Sequence, residues 1–105
     1  MSNCRVVWAN FVEELQGVID RYGEIYLNTL YTNAEGEMIG SLKSSLLLID
    51  LNDDDDTFEL CADRDRRFQF DKEYWDIQKL EQPGVGTSYV LTSKDGMISQ
   101  DFFII

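Results

Sequence analysis

Twenty acidic residues against nine basic ones, with no histidine, give this 105-residue chain a formal net charge of −11. Such a field repels nucleic acid and acidic membranes and favours basic partners, while the missing histidine removes the commonest general base, metal ligand and pH switch together. At 44% hydrophobic and 12% aromatic, one domain spanning residues 1–105 has material for a core without disulfides or metal.

Trp8, Phe11, Val12, Leu15, Val18, Ile19 and Tyr22 recur at helical spacing, with Glu13, Glu14, Gln16, Asp20 and Arg21 opposite. The pattern predicts an amphipathic helix over 5–22. Ser2 or Asn3 would cap an early start and Asn10 a later one, and Gly23 would take the left-handed position that ends it. The period then changes to two. Residues 24–32 are rich in β-branched and aromatic types, with Ile25, Leu27, Thr29 and Tyr31 on one face, so a strand is expected. Asn33, Ala34, Glu35 and Gly36 form a hairpin connection.

Residues 37–51 are ambiguous. Met38, Gly40, Leu42, Ser44, Leu46 and Leu48 alternate, yet 41–51 would also fit a short helix. Gly40 and the two serines favour a strand. A charged loop over 52–56 follows. Segments 57–62 and 66–70 read as one strand, interrupted by a bulge or turn at Asp63, Arg64 and Asp65. Another strand covers 74–80, and a loop at 82–86 holds the single proline, Pro83. Strands 88–93 and 97–105 flank Lys94, Asp95 and Gly96, where Asp-Gly is a strong turn signal. One helix and five or six strands with short links predict an α+β domain. Its sheet should be mainly antiparallel and meandering, with the N-terminal helix packed on one face.

Asp53, Asp54, Asp55 and Asp56, flanked by Asp50 and Glu59, form the densest charge cluster. A hard cation needs converging oxygens, usually with alternating spacing and a glycine. This run has neither, so a solvated loop or an acidic contact surface is expected and no metal. Arg64, Arg66, Arg67 and Lys72 concentrate four of the nine cations, consistent with local ion pairs. On a strand Arg64 and Arg66 would point together. Tyr74 and Trp75 must face opposite ways, as must Phe102 with Ile104 and Phe103 with Ile105. A sheet covered by one helix therefore leaves apolar residues for a partner or for dimerisation, unless it curls to bury both faces.

No GxSxG elbow, phosphate-binding glycine loop or HExxH motif is present, so no enzymatic activity and no cofactor are expected. Cys4 and Cys61 lack CxxC spacing. Free thiols in a reducing cytoplasm are the simpler expectation, and a disulfide from the helix to the sheet is the alternative. No apolar run approaches the ~18 residues of a membrane span, and the opening residues do not pattern as a secretory leader.

These features point to a small acidic protein-binding module. Its expected form is an inhibitor or immunity-type protein that blocks a basic, nucleic-acid-handling partner by imitating phosphates. Asp50, Asp53, Asp54, Asp55, Asp56 and Glu59 would carry the charge. Tyr74, or Trp75 if it faces away from the helix, would anchor the contact. The competing expectation is a ligand-binding or assembly subunit whose charge serves solubility alone.

Overall fold

The computed structural model describes residues 3–104, with side chains from Arg5 onward. Ser2 as a cap, Ile105 and any pairing of Cys4 with Cys61 lie outside the described residues. Helix α1 (Asn3–Asp20) is followed by β1 (Glu24–Thr32), β2 (Met38–Asp53), β3 (Thr57–Ala62), β4 (Arg66–Asp71), β5 (Trp75–Gln82), β6 (Gly86–Ser93) and β7 (Ile98–Ile104). The fold is α+β, with every strand pairing antiparallel. Among the described residues no helix is long and apolar enough to cross a membrane.

The sheet has seven strands in the order β4-β3-β2-β1-β7-β6-β5, rather than five or six. The difference lies at residues 63–65. Arg64 and Asp65 both take left-handed backbone, with φ of +61° and +59°. Two successive left-handed residues make the tight turn whose twist matches a hairpin, so β3 and β4 are separate strands. Arg64 therefore sits in a turn and does not share a strand face with Arg66. Arg66 reaches back instead, donating to Asp63 Oδ1 and to the Ser45 carbonyl, each at 2.9 Å. That guanidinium, helped by the Leu47 N–H, holds the Asp63 carboxyl below its ordinary range.

Of residues 37–51, all from Met38 onward are strand, as the alternation favours, and β2 continues to Asp53. Its first part pairs with β1 and its last part with β3, with the register slipping between Leu48 and Asp50. An extra residue in one strand bends it. This bend lets one long strand belong to both halves of a curled sheet. Nor is the path a single meander. The chain runs outward from β1 to β4, crosses to the opposite edge, and returns through β5 and β6 so that β7 pairs with β1.

Only residues 72–74 join the outermost strands β4 and β5. So short a link requires the sheet to curl until its edges approach, and the rings of Phe70 and Trp75 indeed meet edge-on at 5.2 Å. The helix fills the trough. Phe11 is fully buried at its centre, with ring centroids 4.9 Å from Tyr89, 5.5 Å from both Phe58 and Phe102, and 6.0 Å from Trp8. The curling buries the inner face but leaves the outer face partly open. Tyr26 is 53% exposed there and Leu80 42%.

The helix also ends differently from expectation. Tyr22, not Gly23, takes the left-handed conformation, with φ of +54°. The Tyr22 N–H bonds the Ile19 carbonyl at 3.0 Å and the Gly23 N–H bonds the Val18 carbonyl at 2.8 Å, which is a Schellman ending. Gly23 is needed for another reason: a Cβ there would lie 3.0 Å from Val18. Tyr22 is 89% exposed and carries the cost of left-handed backbone without compensating burial. Tyr22→Gly should therefore raise stability by about 0.5–1 kcal/mol, read as a higher urea midpoint at unchanged slope. A fall would mean that the ring has a stabilising contact.

Candidate functional site

The aspartate run closes the connection between β2 and β3, where the Asp54 N–H bonds the Thr57 carbonyl at 2.9 Å. Lys72, on the link between β4 and β5, reaches across to it. Its ammonium donates to Asp53 Oδ1 and to the Asp54 carbonyl, both at 2.6 Å, and lies 5.7 Å from the centre of the Trp8 ring. Only 16% of the Lys72 side chain is exposed, so the pair is better shielded from solvent than an ordinary surface ion pair. Lys72 thus pins the acidic loop to the start of the helix and satisfies one carboxylate. Asp54, Asp55 and Asp56 remain exposed.

Between loop and helix lies a cleft of about 570 Å³, lined by Arg5, Trp8 and Ala9, by the four aspartates, and by Lys72 and Glu73. A second depression of about 500 Å³ continues along the helix and shares Ala9 and Asp53 with the first. It adds Glu13 and Asp20, so carboxylates line one continuous trough. Trp8 is 4% exposed, and its indole N–H is buried without an acceptor. Sequence reasoning did not place Trp8, Arg5 or Glu73 here. Their spacing shows only a helix face and a turn, and nothing local reveals that the two meet.

The structure divides the residues expected to act together. In β2, Asp53 pairs with Phe58, which points into the core, whereas Asn52 pairs with Glu59 and Asp50 with Cys61. Paired residues share a sheet face. Asp53 therefore joins the cleft on the helix side, while Asp50 and Glu59 belong to the outer surface. Asp50 accepts the Leu51 N–H at 2.8 Å, and Glu59 accepts from Asn52 and faces Arg67 at 3.5 Å. Trp75 turns inward against Phe70, so Tyr74 is the exposed aromatic of the two, at 41%. The Tyr74 hydroxyl donates to Asp95 at 3.3 Å. Partial burial and that neighbouring carboxylate raise its pKa. Among the described residues no group of three or more carboxylate or thiol side chains is arranged to hold a metal ion.

A second polar cluster fixes the helix against the sheet. The Tyr89 hydroxyl donates to Glu14, and Lys79 lies 3.7 Å from the same carboxylate, 3.0 Å from Glu81 and 5.8 Å from the Tyr89 ring centre. Burial first, and then the Glu14 carboxylate, push the Tyr89 phenol up to about 12. In the unfolded chain it would ionise near 10. Above pH 10 the folded state holds a proton that the unfolded state has released, so stability falls as pH rises. Between pH 10 and 12 the loss should be of the order of 2 kcal/mol. Tyr89→Phe should remove about that much of the alkaline loss in urea melts, leaving the smaller contributions of Tyr74 and Lys79, and an unchanged slope would assign it to those groups.

No protein-family model, curated protein or solved structure matches this chain.

Proposed function

We propose that this chain is an acidic protein-binding module that captures a basic partner in the trough between α1 and the aspartate loop. We further propose that it acts as an inhibitor or immunity-type protein against a nucleic-acid-handling partner. The supporting observation is the organisation of the charge. Lys72 neutralises Asp53 and anchors the loop, which leaves Asp54, Asp55 and Asp56 displayed together on a fixed support. Carboxylates held in a row offer cationic side chains what phosphates would, and pre-ordering the loop lowers the entropy cost of binding. Tyr74, directly after cleft-lining Glu73, is the adjacent aromatic anchor.

The test separates placed charge from total charge. A triple variant of Asp54, Asp55 and Asp56 to Asn is compared with one neutralising Glu24, Glu35 and Asp76, which are exposed elsewhere. Both carry the same net charge. With an immobilised nona-arginine peptide as the basic probe, the loop variant should associate at least about fivefold more slowly and lose much of its salt dependence. The control triple should change less than about twofold. Equal slowing of both would show that bulk charge alone acts, and the reading would fail.

A further inference from the structure

We propose that the outer face of the sheet carries a separate site for a small molecule bearing a guanidinium group at one end and an anion at the other. This does not depend on the acidic trough, since it concerns the face turned away from the helix. The strand register builds the site. Lys43 of β2 lies opposite Asn28 of β1, which lies opposite Asp101 of β7. One row along, Ser45, Tyr26 and Phe103 form the parallel set. These two rows line a cavity of about 410 Å³, the size of small-ligand sites.

The polar row is unfinished. Asn28 Oδ1 and Asp101 Oδ1 are both withdrawn from solvent, and neither accepts a hydrogen bond from the chain. Directly opposed residues on antiparallel strands lie about 5 Å apart, so the two acceptors are neighbours. A buried acceptor without a donor disfavours folding, and two together within a cavity point to a donor brought from outside. Burial raises the Asp101 pKa, and a hydrogen bond from the Ser88 hydroxyl to this carboxyl opposes that only in part, so Oδ1 still lacks a donor and no cation of the chain neutralises the group.

Guanidinium fits this row best. It is flat, carries several N–H donors along one edge, stays charged, and lies well on aromatic faces. Tyr26 and Phe103 supply such faces one row away. Lys43 stands two strands from Asp101, roughly 10 Å, and its charge would repel a purely cationic ligand. It therefore selects one with a carboxylate at the far end, as in free arginine.

Amide chemical shifts of the folded protein in 150 mM salt, titrated with L-arginine, agmatine and L-citrulline, test this. Saturable shifts with arginine at Tyr26, Asn28, Asp101 and Phe103 are expected, with weaker binding of agmatine and none of citrulline. Asp101→Asn should weaken arginine about tenfold or more, with its melting temperature unchanged or raised because a buried charge is gone. Lys43→Ala, at an exposed position, should weaken arginine while sparing agmatine. Shifts confined to residues 53–56, an equal response to citrulline, or no saturation by 20 mM arginine would each overturn the site and leave the acceptors to water. A blocked Gly-Arg-Gly peptide binding more tightly than free arginine would overturn the small-molecule reading in favour of a protein side chain.

Discussion

Phe11→Ala should cost about 3–5 kcal/mol, more than any other substitution considered for this chain. The ring is fully buried and touches aromatic residues from the helix and from β3, β6 and β7. Because the sheet curls around it, the neighbours already press on one another and cannot collapse into the space the ring would leave. The cavity therefore persists, and its cost adds to the lost transfer free energy. Domains of this size have about 5–15 kcal/mol in total, so the variant should melt far earlier in urea. A loss under about 1 kcal/mol would mean that the helix does not fill the trough.

Gly86→Ala is the second large effect, roughly 2–4 kcal/mol. Gly86 has φ of +153°, and a Cβ there would sit 2.8 Å from Phe103 Cζ and 2.9 Å from the Ile104 carbonyl oxygen. A ring can rotate aside, but the carbonyl is backbone, in a residue paired with Thr87 of β6, and cannot move without shifting the strand. The glycine is thus the floor over which the Phe103 ring lies. Gly84→Ala serves as the control, because it too has positive φ, of +77°, but nothing lies within 4 Å of its Cβ. Loss of stability in Gly86→Ala well beyond that in Gly84→Ala would confirm the steric cause. Equal losses would reduce it to backbone strain alone.

Much of the architecture was legible where physics is local. The period of α1 and the turn at Asp95 and Gly96 needed no distant information, and that turn forms with Gly96 at φ +77°. The split of β3 from β4 was only half legible: Asp63, Arg64 and Asp65 marked a bulge or turn, but with no glycine there, and with Arg64 a poor residue for left-handed backbone, nothing signalled a full reversal into two strands. The helix ending misled for a related reason. Gly23 matched the expected residue type, but its role is to avoid Val18, and Tyr22 bears the unusual backbone.

The candidate site was half visible. Of the charged loop expected over 52–56, residues 54–56 form an exposed acidic loop, but Asn52 and Asp53 continue β2. The period of two could not say which face Asp50 and Asp53 take. The irregularity between Leu48 and Asp50 changes the alternation within β2, which sends Asp50 to the outer surface and Asp53 to the helix side. Glu59 faces outward between the core residues Phe58 and Leu60. Alternation also showed that Tyr74 and Trp75 part company without showing which turns inward. That was decided by the curling of the sheet, a property of the link at residues 72–74 taken with all seven strands.

The placement of β1 between β2 and β7 has a consequence for how the chain reaches this fold. Tyr26 pairs with Phe103, so one edge of β1 finds its partner only after β7 has been synthesised. Until then β1 to β4 can form a four-stranded hairpin series in which β1, central in the complete sheet, is an unpaired edge, and Phe11 lacks Tyr89 and Phe102. Closing so long a loop is slow compared with forming hairpins. The late arrival of β7 should therefore set the folding rate, and the uncovered edge of β1 is where the nascent protein is most prone to pair with another copy of itself.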